Sequence, residues 1–132
     1  MCRKEAKAAV HGYFRTYPGT KEYMDKQVSI ARDKGYVETI TGRRRYLKDI
    51  DSRNAVVRGH SERNAVNAPI QGSAADIIKL AMIELDRSMR NANMKSKMLL
   101  QVHDELVFDV PKSELEELKV LVAEEMANAV KL

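Results

Sequence analysis

Leu99-Leu100-Gln101-Val102-His103-Asp104-Glu105-Leu106-Val107-Phe108 sets apolar residues on both sides of a His-Asp-Glu triplet. This pattern predicts two short buried strands joined by a tight turn that carries the polar groups. A carboxylate buried beside Leu and Val without a partner is costly, so Asp104 and Glu105 belong at the tip, facing water, a cation or a basic group. A hard divalent cation such as magnesium suits them, since it takes oxygen ligands from one or two carboxylates and from substrate phosphates. The plain alternative is a solvated turn in which Asp bonds nearby backbone groups. The triplet by itself leaves both readings open.

Working outward, residues 95–110 form this hairpin and Pro111 closes it. Ser113 and Glu116 have the spacing of a capping box. Leu115, Leu118, Leu121, Val122, Met126, Ala129 and Val130 then mark an amphipathic helix able to cover one sheet face. Upstream, residues 54–92 carry the longest helical pattern, with Asn54 as its cap and a kink or break expected near 66–70, because Pro69 lacks a backbone donor. Ala74, Ile77, Ile78, Ala81, Met82, Leu85 and Met89 make an apolar stripe along it, and Gly72-Ser73-Ala74-Ala75 allows close backbone approach. Arg63, Asn67 and Gln71 stand at i, i+4 and i+8, so a helix that bends without unwinding projects all three from one side.

Before this helix, Tyr36–Ile40 and Arg43–Leu47 flank Thr41-Gly42 with a period of two, which predicts a second hairpin. Its three consecutive arginines, Arg43, Arg44 and Arg45, are the densest positive charge in the chain. Guanidinium forks match phosphate oxygens, although arginines on an edge strand also guard against aggregation. The chain opens with helical patterns over about 3–16 and 20–34. Pro18-Gly19 is expected to end the first and Gly35 the second, Val10, Tyr13, Phe14 and Tyr17 follow helical spacing, and Tyr13, Phe14, Tyr17 and Tyr23 are assigned to the core. The fold class is therefore α+β, helices packed on a small antiparallel sheet.

Composition sets the context. Of 132 residues, 44% are apolar and 32% charged, which suits a globular domain. One cysteine, Cys2, permits no internal disulfide, and neither a signal-peptide core nor a long apolar run is present; a cytoplasmic protein with no membrane partner is expected. Residues 1–63 hold 15 Lys/Arg against 8 Asp/Glu, whereas 64–132 hold 8 against 11. A basic first half beside an acidic turn suits a polyanion held by one region and a cation by the other.

Three segments together carry a resemblance: Gly35-Tyr36-Val37-Glu38-Thr39 with Gly42–Leu47, then Glu62–Lys79 through Arg63, Asn67 and Gln71, then Gln101–Phe108. In order and spacing they closely resemble the C-terminal part of bacterial family A DNA polymerases. The resemblance implies part of a right-handed polymerase, with residues 1–53 in the fingers and 54–132 in the palm. It implies template-directed addition of deoxynucleotides from their triphosphates to a primer end, using two divalent ions, usually magnesium. On matching positions, Asp104 is then a catalytic, metal-holding aspartate and Glu105 its lesser neighbour. His103 contacts the primer end, and Arg63, Asn67 and Gln71 follow the minor groove of the primer-template. The basic Arg43–Arg45 run is assigned to DNA as well.

The family's other metal-binding aspartate and the lysine-bearing helix that holds the triphosphate have no counterpart in these residues. A polymerase fragment cut at both ends is therefore expected, inactive alone, binding DNA weakly and prone to self-association. Two other classes remain at this stage. A non-catalytic nucleic-acid-binding module needs only the basic half. A small metal-dependent phosphohydrolase needs further ligands, and His11 and His60 lie on unrelated helices.

Overall fold

Pro18 opens a helix here rather than closing one. In the computed structural model, which describes residues 3–103 and 105–130 with side chains from residue 5 onward, α1 (Arg3–Thr16) stops before it. Helix α2 (Pro18–Lys34) has the proline in its first turn, where a missing N–H costs nothing. Gly35, at φ 76°, ends α2 in the left-handed conformation, its N–H bonded to the Ala31 carbonyl.

Strands β1 (Tyr36–Glu38) and β2 (Arg44–Tyr46) pair antiparallel, Tyr36 opposite Tyr46 and Glu38 opposite Arg44. Gly42 supplies the turn's positive φ of 82°. Helix α3 runs unbroken over Ala55–Asn91 with Pro69 inside it, so the expected break is absent. Proline deprives the Ala65 carbonyl of its N–H partner, and side chains bond two carbonyls just beyond it. The Tyr23 hydroxyl donates to Val66 O at 3.2 Å and the Ser73 hydroxyl to Pro69 O at 2.5 Å. Desolvation raises the Tyr23 pKa, keeping the phenol a donor. Asn54 caps α3 as expected, accepting the Val56 N–H at 3.0 Å. A Schellman arrangement with Asn93 at φ 52° ends it, Met94 N–H reaching Met89 O and Asn93 N–H reaching Arg90 O.

Strands β3 (Lys97–Val102) and β4 (Glu105–Asp109) pair antiparallel with Val102 opposite Glu105, followed by a single 3₁₀ turn (Lys112–Glu114) and α4 (Leu115–Asn128). Helices with two small antiparallel sheets make this an α+β chain.

The residues pack as two compact units, one reaching Ser73 and one starting at Ala74, so α3 contributes to both. In the first, Ala31, Val37, Leu47, Ile50 and Ala65 form a buried cluster, and the two alanines, at 0% exposure, let backbones approach closely. In the second, Ala81, Leu85, Met89 and Leu118 are buried.

Two burial expectations fail. Tyr13 and Tyr17 are half exposed, their rings 5.2 Å apart and Tyr13 also edge-on to Phe14 at 5.6 Å. The hairpin strands are not buried either: Leu99 is 57% exposed and Leu100, Val102 and Val107 are at least 40% exposed. Period and hydropathy identify an apolar face, but they do not provide the surface that covers it.

The capping box also fails to form, because α4 begins at Leu115 with no side-chain cap. Glu114 instead reaches back to the residues just before β3, accepting from the Ser96 hydroxyl at 2.6 Å and from the Lys95 and Ser96 backbone N–H groups. The Ser96 hydroxyl, followed by the Lys95 N–H, holds its carboxyl below the usual range. A depressed folded-state pKa gives stability that is present above the unfolded pKa and lost as pH falls through the folded one. Glu114→Gln should accordingly lower the melting temperature at neutral pH, and the gap from wild type should close under acid. A gap independent of pH, followed by circular dichroism, would remove the carboxylate from this role.

Candidate nucleic-acid interface

Tertiary packing separates the three arginines that the sequence groups together. On one face of the β1–β2 hairpin, Arg44 donates to Glu38 at 2.9 Å and lies 4.6 Å above the Tyr36 ring, which itself packs on Tyr46 at 5.6 Å. The Glu38 bond, chiefly, raises its already high pKa. Arg43 turns toward α3 and donates to the Gly72 carbonyl at 3.2 Å. Arg45 has no protein partner among the described residues and is exposed.

These arginines line a groove of about 440 Å³ with Asn64, Asn67 and Gln71. The hairpin thus brings guanidinium groups beside two members of the α3 polar row. Strong donors for anionic oxygens stand next to amides that can both donate and accept. Arg63, the third member, is exposed and lines a different cavity with Met24, Val28, Glu62 and Asn67. Asn64 was missed from sequence, though its place one helical step before Asn67 was a usable signal; it bonds His60 at 2.9 Å. Arg45 and Asn64 also border a neighbouring cavity of about 580 Å³ that adds Lys48 to the basic lining.

The acidic turn lies in the second unit. Val102 and Glu105 are the last pair of the ladder. His103, next after β3, has φ 56°, in the left-handed region. Its carbonyl accepts the Gln101 side-chain amide at 2.7 Å. The tip is open: His103 and Glu105 are both exposed. Asp104, the residue on which most of the metal expectation rests, lies outside the described residues. Among the described residues no three His, Cys, Asp or Glu side chains converge as a metal cage. One exposed Glu105 carboxylate on a strand end still suits a hard cation that completes its shell with other oxygens.

The chain belongs to DNA polymerase family A, whose family model matches residues 1–132. Over all 132 residues it is 59% identical to DNA polymerase I of Streptococcus pneumoniae serotype 4 and 55% identical to DNA polymerase I of Geobacillus stearothermophilus. It spans 15% of the length of each. A solved POL domain of Pol1 from M. smegmatis, in complex with DNA primer-template and dNTP, superposes on the whole chain with a TM-score of 0.97 at 50% identity. The chain corresponds to 23% of that structure. No described helix is long and apolar enough to cross a membrane.

Proposed function

We propose that these residues form part of a template-directed DNA polymerase that adds deoxynucleotides from their triphosphates to a primer end. Residues 1–53 belong to its fingers and 54–132 to its palm, and the protein works in the cytoplasm. The carrying observation is the groove in which the exposed Arg45 stands beside Asn67 and Gln71, in a chain of family A. An isolated phosphohydrolase is disfavoured by the same membership and by His60, which is held by Asn64 on α3.

Arg45 grips backbone phosphate through its fork. Asn67 and Gln71, with Arg63 further along the row, meet minor-groove acceptors that every base pair presents, so they test pairing geometry without reading sequence. Arg43 and Arg44 keep the hairpin in shape and add positive potential near the duplex. His103 meets the primer end. Asp104 and Glu105 would hold the divalent ions, usually two magnesium, together with carboxylates from elsewhere in the polymerase. Such ions, when bound, lower the pKa of a primer hydroxyl and neutralise a leaving pyrophosphate.

Arg45→Ala should weaken primer-template binding and reduce the slope of log affinity against log salt by about one, because one fewer phosphate is neutralised by the protein. Arg44→Ala should change the slope less and the hairpin's stability more. Gln71→Ala or Arg63→Ala should cost on the order of fivefold in affinity, equivalent to about 1 kcal/mol for one hydrogen bond, whatever the template sequence. Fluorescence anisotropy at several salt concentrations measures all of these affinities. An Arg45→Ala variant with wild-type affinity and salt slope would overturn this use of the groove.

A further inference from the structure

Gly72 is the tightest glycine in the chain. A Cβ built there would lie 2.5 Å from Thr39 Cγ2 and 3.3 Å from Arg43 Nη2. Thr39 is β-branched and cannot swing that methyl aside freely. Its hydroxyl is also occupied, lying 3.0 Å from the Thr41 hydroxyl and accepting the Arg43 N–H at 3.2 Å. One residue further along α3, the Ser73 hydroxyl accepts the Ile40 N–H at 2.9 Å while donating to the Pro69 carbonyl. The Gly72 carbonyl takes the Arg43 guanidinium. The turn between β1 and β2 is thus seated on one stretch of α3 by a close approach and two hydrogen bonds, beside the groove that holds Arg45, Asn67 and Gln71.

We infer that Gly72 and Ser73 act as a latch, positioning residues that fix the Thr39–Arg43 turn on α3 and so set the arginines at the spacing from Asn67 and Gln71 that a duplex requires. Neither residue touches DNA in this role. The inference rests on reading the groove as the DNA-facing surface. A glycine within a helix is itself unfavourable, since alanine is the better helix former. If Gly72 mattered only to α3, alanine would therefore be harmless or helpful. With the latch, alanine pushes the turn off the helix.

The test uses the polymerase that carries this sequence, with primer-template affinity read by anisotropy at low and high salt and peptide hydrogen exchange followed across residues 37–45. Gly72→Ala should lower affinity about tenfold, reduce the salt slope by about one and speed exchange in the turn. Adding Thr39→Ser, which deletes the obstructing methyl and keeps the hydroxyl, should restore most of each. Ser73→Ala should behave like Gly72→Ala, and Ser73→Thr, which retains the hydroxyl, like wild type. Should Gly72→Ala unfold the protein, the Ser73 pair makes the same comparison without the Gly72 clash. Arg45→Ala is the reference. If Arg45→Ala loses affinity while Gly72→Ala and Ser73→Ala retain it, the latch is wrong and the DNA reading stands. If Arg45→Ala retains affinity, the groove reading falls and the latch's role falls with it.

Discussion

Asp104→Asn in a polymerase that carries this sequence intact should reduce nucleotide addition on the order of a thousandfold or more while leaving primer-template affinity little changed. The substitution keeps size and removes charge. On the proposed reading, that charge is needed where cations gather, whereas the duplex meets the guanidinium and amide groups of the groove. Losing a single metal-holding carboxylate removes several kcal/mol of transition-state stabilisation, because the ions do most of their work on charge that develops during transfer. Glu105→Gln should reduce the rate less, in line with the supporting role that the family resemblance gives it. Single-turnover extension with magnesium, alongside anisotropy for binding, separates the two quantities. Comparable rates for Asp104→Asn and wild type would end the metal assignment for this turn.

Residues 1–132 expressed alone should give no detectable primer extension. On the proposed reading, transfer also needs a second palm aspartate and a triphosphate-binding lysine helix from the rest of the polymerase, and each such group ordinarily contributes several kcal/mol, which multiplies into many orders of magnitude in rate. DNA binding should survive in weak, salt-sensitive form, since the Arg45 groove is complete within the first compact unit. The β3–β4 hairpin carries Leu99, Leu100, Val102 and Val107 in exposed positions, so concentration-dependent self-association should accompany it. Extension assays, anisotropy at two salt concentrations and light scattering test these together. Template-dependent extension by the purified chain without another polypeptide would show that the active site has been misplaced.

Local features were legible because they depend on neighbours in sequence. Gly35 and Gly42 announced positive φ and Asn54 announced a cap, while one hairpin followed from a period-two pattern and the other from apolar runs on both sides of a polar triplet. The small Gly72-Ser73 pair signalled close approach, and a Cβ at Gly72 would indeed collide with Thr39. Pro69 signalled a kink or a break, and no break occurs: its missing donor is a local fact, whereas the Tyr23 hydroxyl that bonds the Val66 carbonyl beside it comes from another helix.

Sequence alone determined the element types, the polar row on α3, the basic hairpin and the acidic turn, together with the resemblance that led to the family. Which guanidinium is left available was decided only by tertiary structure. Arg43, Arg44 and Arg45 are equivalent as letters, but the strand's alternation sends Arg44 to Glu38 and Tyr36, packing on α3 engages Arg43, and Arg45 is left exposed along the groove. Tertiary structure likewise set Glu114 as a clamp on Lys95 and Ser96 where a Ser113–Glu116 capping box was expected, and left Tyr13 and Tyr17 half exposed. The physical reason is common to these cases. A side chain's intrinsic chemistry is written in the sequence, but whether that chemistry is satisfied inside the protein or left available outside depends on partners far along the chain.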